Sequence, residues 1–168
     1  GRLLNVVVFK TNIVRFSDTE TIYSDPKTFL PVKIERDIFK LFAREKITEV
    51  YDQDNFTVTI TRHSGNKKDV TVIKKDSPIH NPVLLPYYVK SISKFNIGDI
   101  LAVNLPNNKF DIKLVSISDI EVPAGNFKAY HFESSPKQVE FWISRDERSI
   151  PVKIQGLGAF GYSLVLAD

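Results

Sequence analysis

The chain has 168 residues, 42% of them hydrophobic, and no cysteine. A chain near this length buries about 68–70% of its unfolded surface, so one globular domain can hold its core without a disulfide or metal staple. The missing cysteines exclude thiol nucleophiles, cysteine-ligated zinc, iron–sulfur clusters and disulfides. The 23 basic and 20 acidic residues leave only +3. Asp69 and Asp76 follow the lysine pairs Lys67-Lys68 and Lys74-Lys75, so no cationic stripe forms and nucleic acid is not an expected partner.

At the start, Gly1-Arg2-Leu3-Leu4-Asn5 lacks the long apolar stretch of a signal peptide, which leaves export open. The longest apolar runs, such as Val6 to Phe9 and Leu164 to Ala167, are far shorter than the roughly 20 residues of a membrane helix, so no transmembrane segment is expected. Ile38 to Lys46 reads two ways. Phe39, Phe42 and Ala43 fit a helical face, whereas Ile38, Lys40, Phe42 and Arg44 alternate as in a strand; the strand is the expectation. Asp52, Asp54 and Asn55 resemble the opening of a calcium loop, but Thr57 replaces the required glycine and His63 falls at the twelfth position, so a polar turn is expected. Asn55-Phe56-Thr57 is a glycosylation sequon, relevant only to a eukaryotic secretory protein.

From there the β pattern is clear. Phe56, Val58 and Ile60 alternate with Thr57, Thr59 and Thr61, which places the two sets on opposite faces of a strand. The turn residues His63-Ser64-Gly65-Asn66-Lys67 lead back into Val70-Thr71-Val72-Ile73. One segment then breaks the pattern. Asn81 can cap a helix, Pro82 suits its first position, and Val83, Leu84, Tyr87, Tyr88 and Ile92 share a face, which predicts a short helix over 82–93 with Pro86 in its first turn.

Two longer strands, Phe110–Glu121 and Asn126–Glu133, flank Val122-Pro123-Ala124-Gly125-Asn126, where Pro123 presets the turn and Gly125 can take a left-handed bulge. Val139, Phe141 and Ile143 alternate with Glu140, Trp142 and Ser144; Arg145 to Arg148 reads as a solvated hairpin tip. Strands at Ile150 to Gln155 and Tyr162 to Leu166 close the chain. Gly156 to Gly161 matches the dinucleotide fingerprint letter for letter, but only seven residues follow, so the βαβ unit that gives the fingerprint meaning cannot form.

No constellation carries catalysis. His63, His80 and His131 are isolated in sequence and read as surface or structural histidines rather than metal ligands. There is no Gly-x-Ser-x-Gly elbow, and no cofactor is implied. The expectation is a non-enzymatic protein. What remains is an apolar sheet face bearing Phe56, Val58, Ile60, Val139, Phe141 and Ile143, with a single helix presenting Leu84, Tyr87 and Tyr88 as its cover. Either the sheet packs fully on itself or it leaves a groove for an apolar ligand, in which case these nine residues are the candidate ligand-binding set.

Several segments taken together resemble a bacterial envelope family catalogued as domain of unknown function 3108. They are Thr28-Phe29-Leu30-Pro31-Val32-Lys33-Ile34-Glu35-Arg36, Asn81 to Ser91, Asn96-Ile97-Gly98-Asp99, Val122 to Phe127, and Phe141-Trp142-Ile143-Ser144 through Arg148 to Ile154. That family is in turn remotely similar to lipoprotein carriers of the LolA type. The resemblance implies a mainly β fold: a single strongly curved antiparallel sheet, a half-barrel or open barrel with one short helix near 82–93, forming one domain over 1–168, from which this chain departs in N-terminal strands that look shortened before Asn12. It also implies the periplasm, a concave apolar face, and a lipid or other apolar small molecule as ligand, or an envelope protein as partner. It brings no catalytic motif. The chain departs from the family pattern at Asn81, where Asp is usual, and at Lys90, where Arg is usual. The alternative is a structural or protein-interaction module with a fully packed sheet and no ligand cavity.

Overall fold

The computed structural model describes all residues except Arg2, Phe42, Ser93, Lys94, Gly158 to Phe160 and Asp168. Runs of β-branched and aromatic residues separated by short turns favour hairpins between sequence neighbours. The result is two six-stranded antiparallel meanders instead of the expected single sheet. The chain divides into two compact units, residues 1–84 with 104–107 and residues 85–103 with 108–168.

The first unit contains β1 (Asn5–Ile13), β2 (Phe16–Ser24), β3 (Pro31–Lys40), β4 (Ala43–Asp52), β5 (Thr57–Ser64) and β6 (Lys67–Lys74), paired in that order. Its turns are tight enough to need left-handed backbone: Arg15, Leu41, Phe56 and Gly65 have φ between 52° and 61°. Leu41 explains the ambiguous Ile38–Lys46 segment. The strand expected there is two strands, the end of β3 and the start of β4, folded back so that Lys40 pairs with Ala43. Alternation is preserved on both sides of the turn, so the sequence pattern conceals it. Phe56 is likewise a turn residue and not the first position of a strand, and its carbonyl accepts a bond from Lys75 N at 2.9 Å. Asp52 accepts bonds from both Asn55 N and Asn55 Nδ2, so the segment is the polar turn expected there, closed by a side chain.

Residues opposite in register share a face, so Ile22 and Ile34, and Tyr51 and Val58, meet on the packed face of this sheet. Ile38 and Ile47 are buried with them. Gln53 anchors the connecting segment: its Nε2 donates to Pro31 O and Ile79 O, and its Oε1 accepts from Ile79 N.

The second unit begins with α1 (Leu85–Ser91) and continues through β7 (Ile100–Asn104), β8 (Lys109–Val122), β9 (Gly125–Ser135), β10 (Val139–Ser144), β11 (Pro151–Gly156) and β12 (Tyr162–Val165). The expected helix over 82–93 is a 3-10 turn, Pro82–Leu84, followed by α1, and Ser93 lies outside the described residues. Asn81 does cap the turn, its Oδ1 accepting from Val83 N and Leu84 N. Pro86 falls in the first turn of α1, where the missing N–H costs nothing. At the β8–β9 hairpin, Val122 pairs with Gly125, whose φ of +119° is the left-handed conformation expected of it. Part of the Gly156–Gly161 segment lies outside the described residues; Gly156 itself ends β11.

The packed face of this second sheet is aromatic and aliphatic. Phe132 and Phe141 stack at 5.0 Å between ring centroids, and Ile112, Leu114, Ile143 and Val152 are buried with them. Each hairpin end of β10 is closed by a buried serine. Ser134 Oγ donates to Pro136 O and accepts from Gln138 N and Val139 N. Ser144 Oγ donates to Asp146 Oδ1 and accepts from Ile150 N, and Asp146 also holds Arg148, so the Arg145–Arg148 tip is a closed polar turn.

Candidate functional site

The nine candidate ligand residues are divided between the two compact units. Phe56, Val58, Ile60 and Leu84 belong to the first unit, and Tyr87, Tyr88, Val139, Phe141 and Ile143 to the second. Val58 and Leu84 are fully buried core; Phe56 and Ile60 are half-buried. Phe141 is spent on its stack with Phe132, and Val139 is half-buried. Tyr87 and Tyr88 are half-buried on α1, with the Tyr88 phenol pushed up by burial. Of the nine, Ile143 lines a cavity within the second unit.

That cavity has a volume of about 360 Å³. Val89 and Ile92, at the end of α1 and just beyond it, form one wall, and Tyr130, Phe132 and Ile143 from β9 and β10 form the other. The wall on the sheet follows from register: Ile143 pairs with Tyr130 and Phe141 with Phe132, so all four side chains stand on one face. Phe95 closes the cavity edge-on to Phe132 at 5.5 Å. A short turn holds Phe95 there: Asn96 N donates to Asp99 Oδ2, Gly98 N to Leu114 O, and Leu114 N to Asp99 O. Gly98, at φ +102°, is in a conformation that a side chain would strain.

Polar groups sit around the cavity's edge. Lys90 is exposed and donates to Arg148 O at 2.6 Å; Asn96 and Ser149 complete the lining. The lining is therefore mixed, with apolar side chains from α1, β9 and β10 and polar atoms in comparable share, one ammonium among them near the rim. Among the described residues, the one cluster of side chains able to hold a metal, His131, Glu133 and Glu140, lies on the opposite face of β9 and β10.

Sequence reasoning missed Val89, Phe95, Phe132 and Tyr130. Phe132 and Tyr130 could have been found, because they occupy the same alternating face of one predicted strand. Phe95 could not, since it lies in a loop whose path depends on the turn at Gly98.

The family described as Protein of unknown function (DUF3108) matches residues 3–165. This chain belongs to that family. The DUF3108 match takes in both sheets and the cavity. No curated protein and no solved structure matches the chain. No helix among the described residues is long and apolar enough to cross a membrane.

Proposed function

We propose that this DUF3108 protein is a non-enzymatic periplasmic binder of a lipid or other apolar small molecule, and that the ligand's apolar part occupies the second-unit cavity with its polar end toward Lys90. The observation that carries this reading is the space itself. A volume of about 360 Å³ bounded by Val89, Ile92, Phe95, Phe132 and Ile143 falls at the small end of the roughly 300–1,000 Å³ usual for ligand pockets. Its occupant would gain on the order of 25 cal/mol for each Å² of apolar surface withdrawn from water. The half-barrel likeness is retained only as part of this proposal, with the second sheet and α1 as its functional portion.

The test is titration of the full chain with a fluorescent fatty acid. Val89→Trp fills the cavity from the helix side and should weaken binding about tenfold, or ~1.4 kcal/mol. Lys90→Glu, at an exposed position, should weaken a carboxylate ligand and spare an uncharged analogue. If Val89→Trp keeps the parent melting temperature and binds as well as the parent, the cavity is not the site.

A second reading has its own observation. Val6 and Val8 on the edge strand β1 are each more than half exposed, and an edge with apolar side chains can pair with another chain. Native mass spectrometry separates the two: a co-purifying lipid supports the cavity, and a lipid-free complex with an envelope protein supports the edge.

A further inference from the structure

A strand's alternation carries a second message at the β9–β10 hairpin. Phe132 points into the cavity wall, so His131 and Glu133 point to the other face, two residues apart on the same side. Glu140 pairs directly with Glu133 across the hairpin, and Trp142 pairs with His131. Four residues separated in sequence by a turn thus become one cross-strand patch. His131 Nε2 lies 3.4 Å from Glu140 Oε2 and 3.9 Å from Glu133 Oε1. The potential ligand atoms of the three residues all fall within 4.8 Å of one another.

The patch is held in place. The imidazole stacks on Trp142 at 4.3 Å and 6° from parallel, which fixes its plane, and Lys153 from the neighbouring strand stands 4.9 Å over the same indole. Ser134 fixes the turn that carries Lys137, whose Nζ is 2.8 Å from Glu140 and 3.8 Å from Glu133. Within this frame His131 Nε2 is removed from solvent and makes no well-aligned hydrogen bond, the carboxylates of Glu140 and Glu133 being its nearest polar neighbours. A buried imidazole nitrogen without a well-aligned partner is costly unless something binds it.

We infer that His131, Glu133 and Glu140 form a binding site for a divalent transition-metal ion of the zinc type, with remaining positions filled by water. Imidazole and carboxylate are the donors such ions take. Metal–ligand bonds of about 2.0–2.2 Å place adjacent donors of a tetrahedron about 3.3–3.6 Å apart, so the observed separations need to close by only a few tenths of an ångström at His131. Lys137 is the competing cation: its ammonium neutralises the two glutamates when no metal is bound and has to swing away when one enters. Its side chain is 60% exposed, so that movement meets little resistance. The site stands on the opposite face from the cavity and does not depend on the ligand proposed there.

The test is titration of the tag-free full chain with Zn²⁺, followed by calorimetry and by the emission of Trp142, the only tryptophan in the chain. Binding should saturate at one equivalent and change the Trp142 emission, because the ring stacked on it becomes a ligand. Glu140→Gln and His131→Gln should each weaken binding by about tenfold or more. Lys137→Ala, at an exposed position that leaves the core untouched, should tighten it. Co²⁺ should give the visible absorption of a low-coordinate site in the parent and lose it in His131→Gln. The site is refuted if the folded parent shows no saturable response at millimolar Zn²⁺, if binding survives in folded Glu140→Gln and His131→Gln unchanged, or if Lys137→Ala binds more weakly than the parent.

Discussion

The two sheets share strand number, antiparallel order and meander topology, yet their packed faces solve different problems. In the second sheet the face is filled by Ile112, Leu114, Phe132, Phe141 and Ile143, and a cavity remains where α1 and Phe95 meet it. In the first, hydrophobes alternate with charge. Glu20 pairs in register with Arg36, Arg36 also holds Asp18, Asn81 Nδ2 donates to Glu20 Oε1 at 3.1 Å, and Tyr51 donates its hydroxyl to Glu49. Burial raises the Glu20 pKa above its ordinary value against the pull of Arg36, and raises that of the Tyr51 phenol strongly. A sheet face that carries a hydrogen-bonded charge network is specific in register and poor at receiving an oily ligand. The same topology therefore yields one face crossed by fixed polar contacts and one packed with aromatic and aliphatic side chains beside a cavity, and topology alone does not distinguish them.

The largest test of this contrast is Phe132→Ala. It removes the stack with Phe141 and the edge contact with Phe95, and should lower stability by about 3–5 kcal/mol in chemical denaturation. A smaller loss would mean that the aromatic cluster is looser than its geometry states. Next is Arg36→Met in the first sheet, which leaves Asp18 and Glu20 without their cation. A buried pair broken this way costs about 3–5 kcal/mol; Arg36 retains about a third of its side-chain exposure, so a loss of about 1–3 kcal/mol is expected. Adding Asp18→Asn and Glu20→Gln should recover part of it, whereas full recovery by either alone would show that the network is not coupled.

The smallest effect is a pH dependence. His80 is buried in the first unit, its Nδ1 accepting from Asn104 N at 3.1 Å while its backbone N–H donates to Asn104 O at 2.7 Å. Burial lowers its pKa below 6.5, so the unfolded chain takes up a proton near pH 6.5 that the folded protein resists. Stability should be full above that value and decline by at most about 1.4 kcal/mol per pH unit as pH falls toward the lowered pKa. His80→Asn keeps an acceptor for Asn104 N and should remove this slope in urea denaturation between pH 5 and 7 (about the window that the direction of the shift defines). Glu20 acts in the opposite sense, losing stability as pH rises from 4.5, so the difference between parent and variant isolates the histidine.

What the sequence determined was local. Alternation at Val58, Val139, Phe141 and Ile143, the Asn81 cap, the Gly65 and Gly125 turns and the polar tip at Asp146 are each set by a few neighbouring residues, and each is found where the pattern placed it. The early strands β1 to β3 and β7 carry weaker alternation and were not individually legible; Leu41 hid a hairpin because a turn built on a left-handed leucine has no glycine to mark it. What tertiary structure decided was which faces meet. Division into two sheets put Val58 and Phe141 in different sheets, the turn at Gly98 brought Phe95 to the cavity, and the β9–β10 register set Glu140 beside His131. Side-chain direction along a strand is fixed by a two-residue period, but the partner across a strand or beneath a helix is fixed by long-range packing, which no short window of sequence contains.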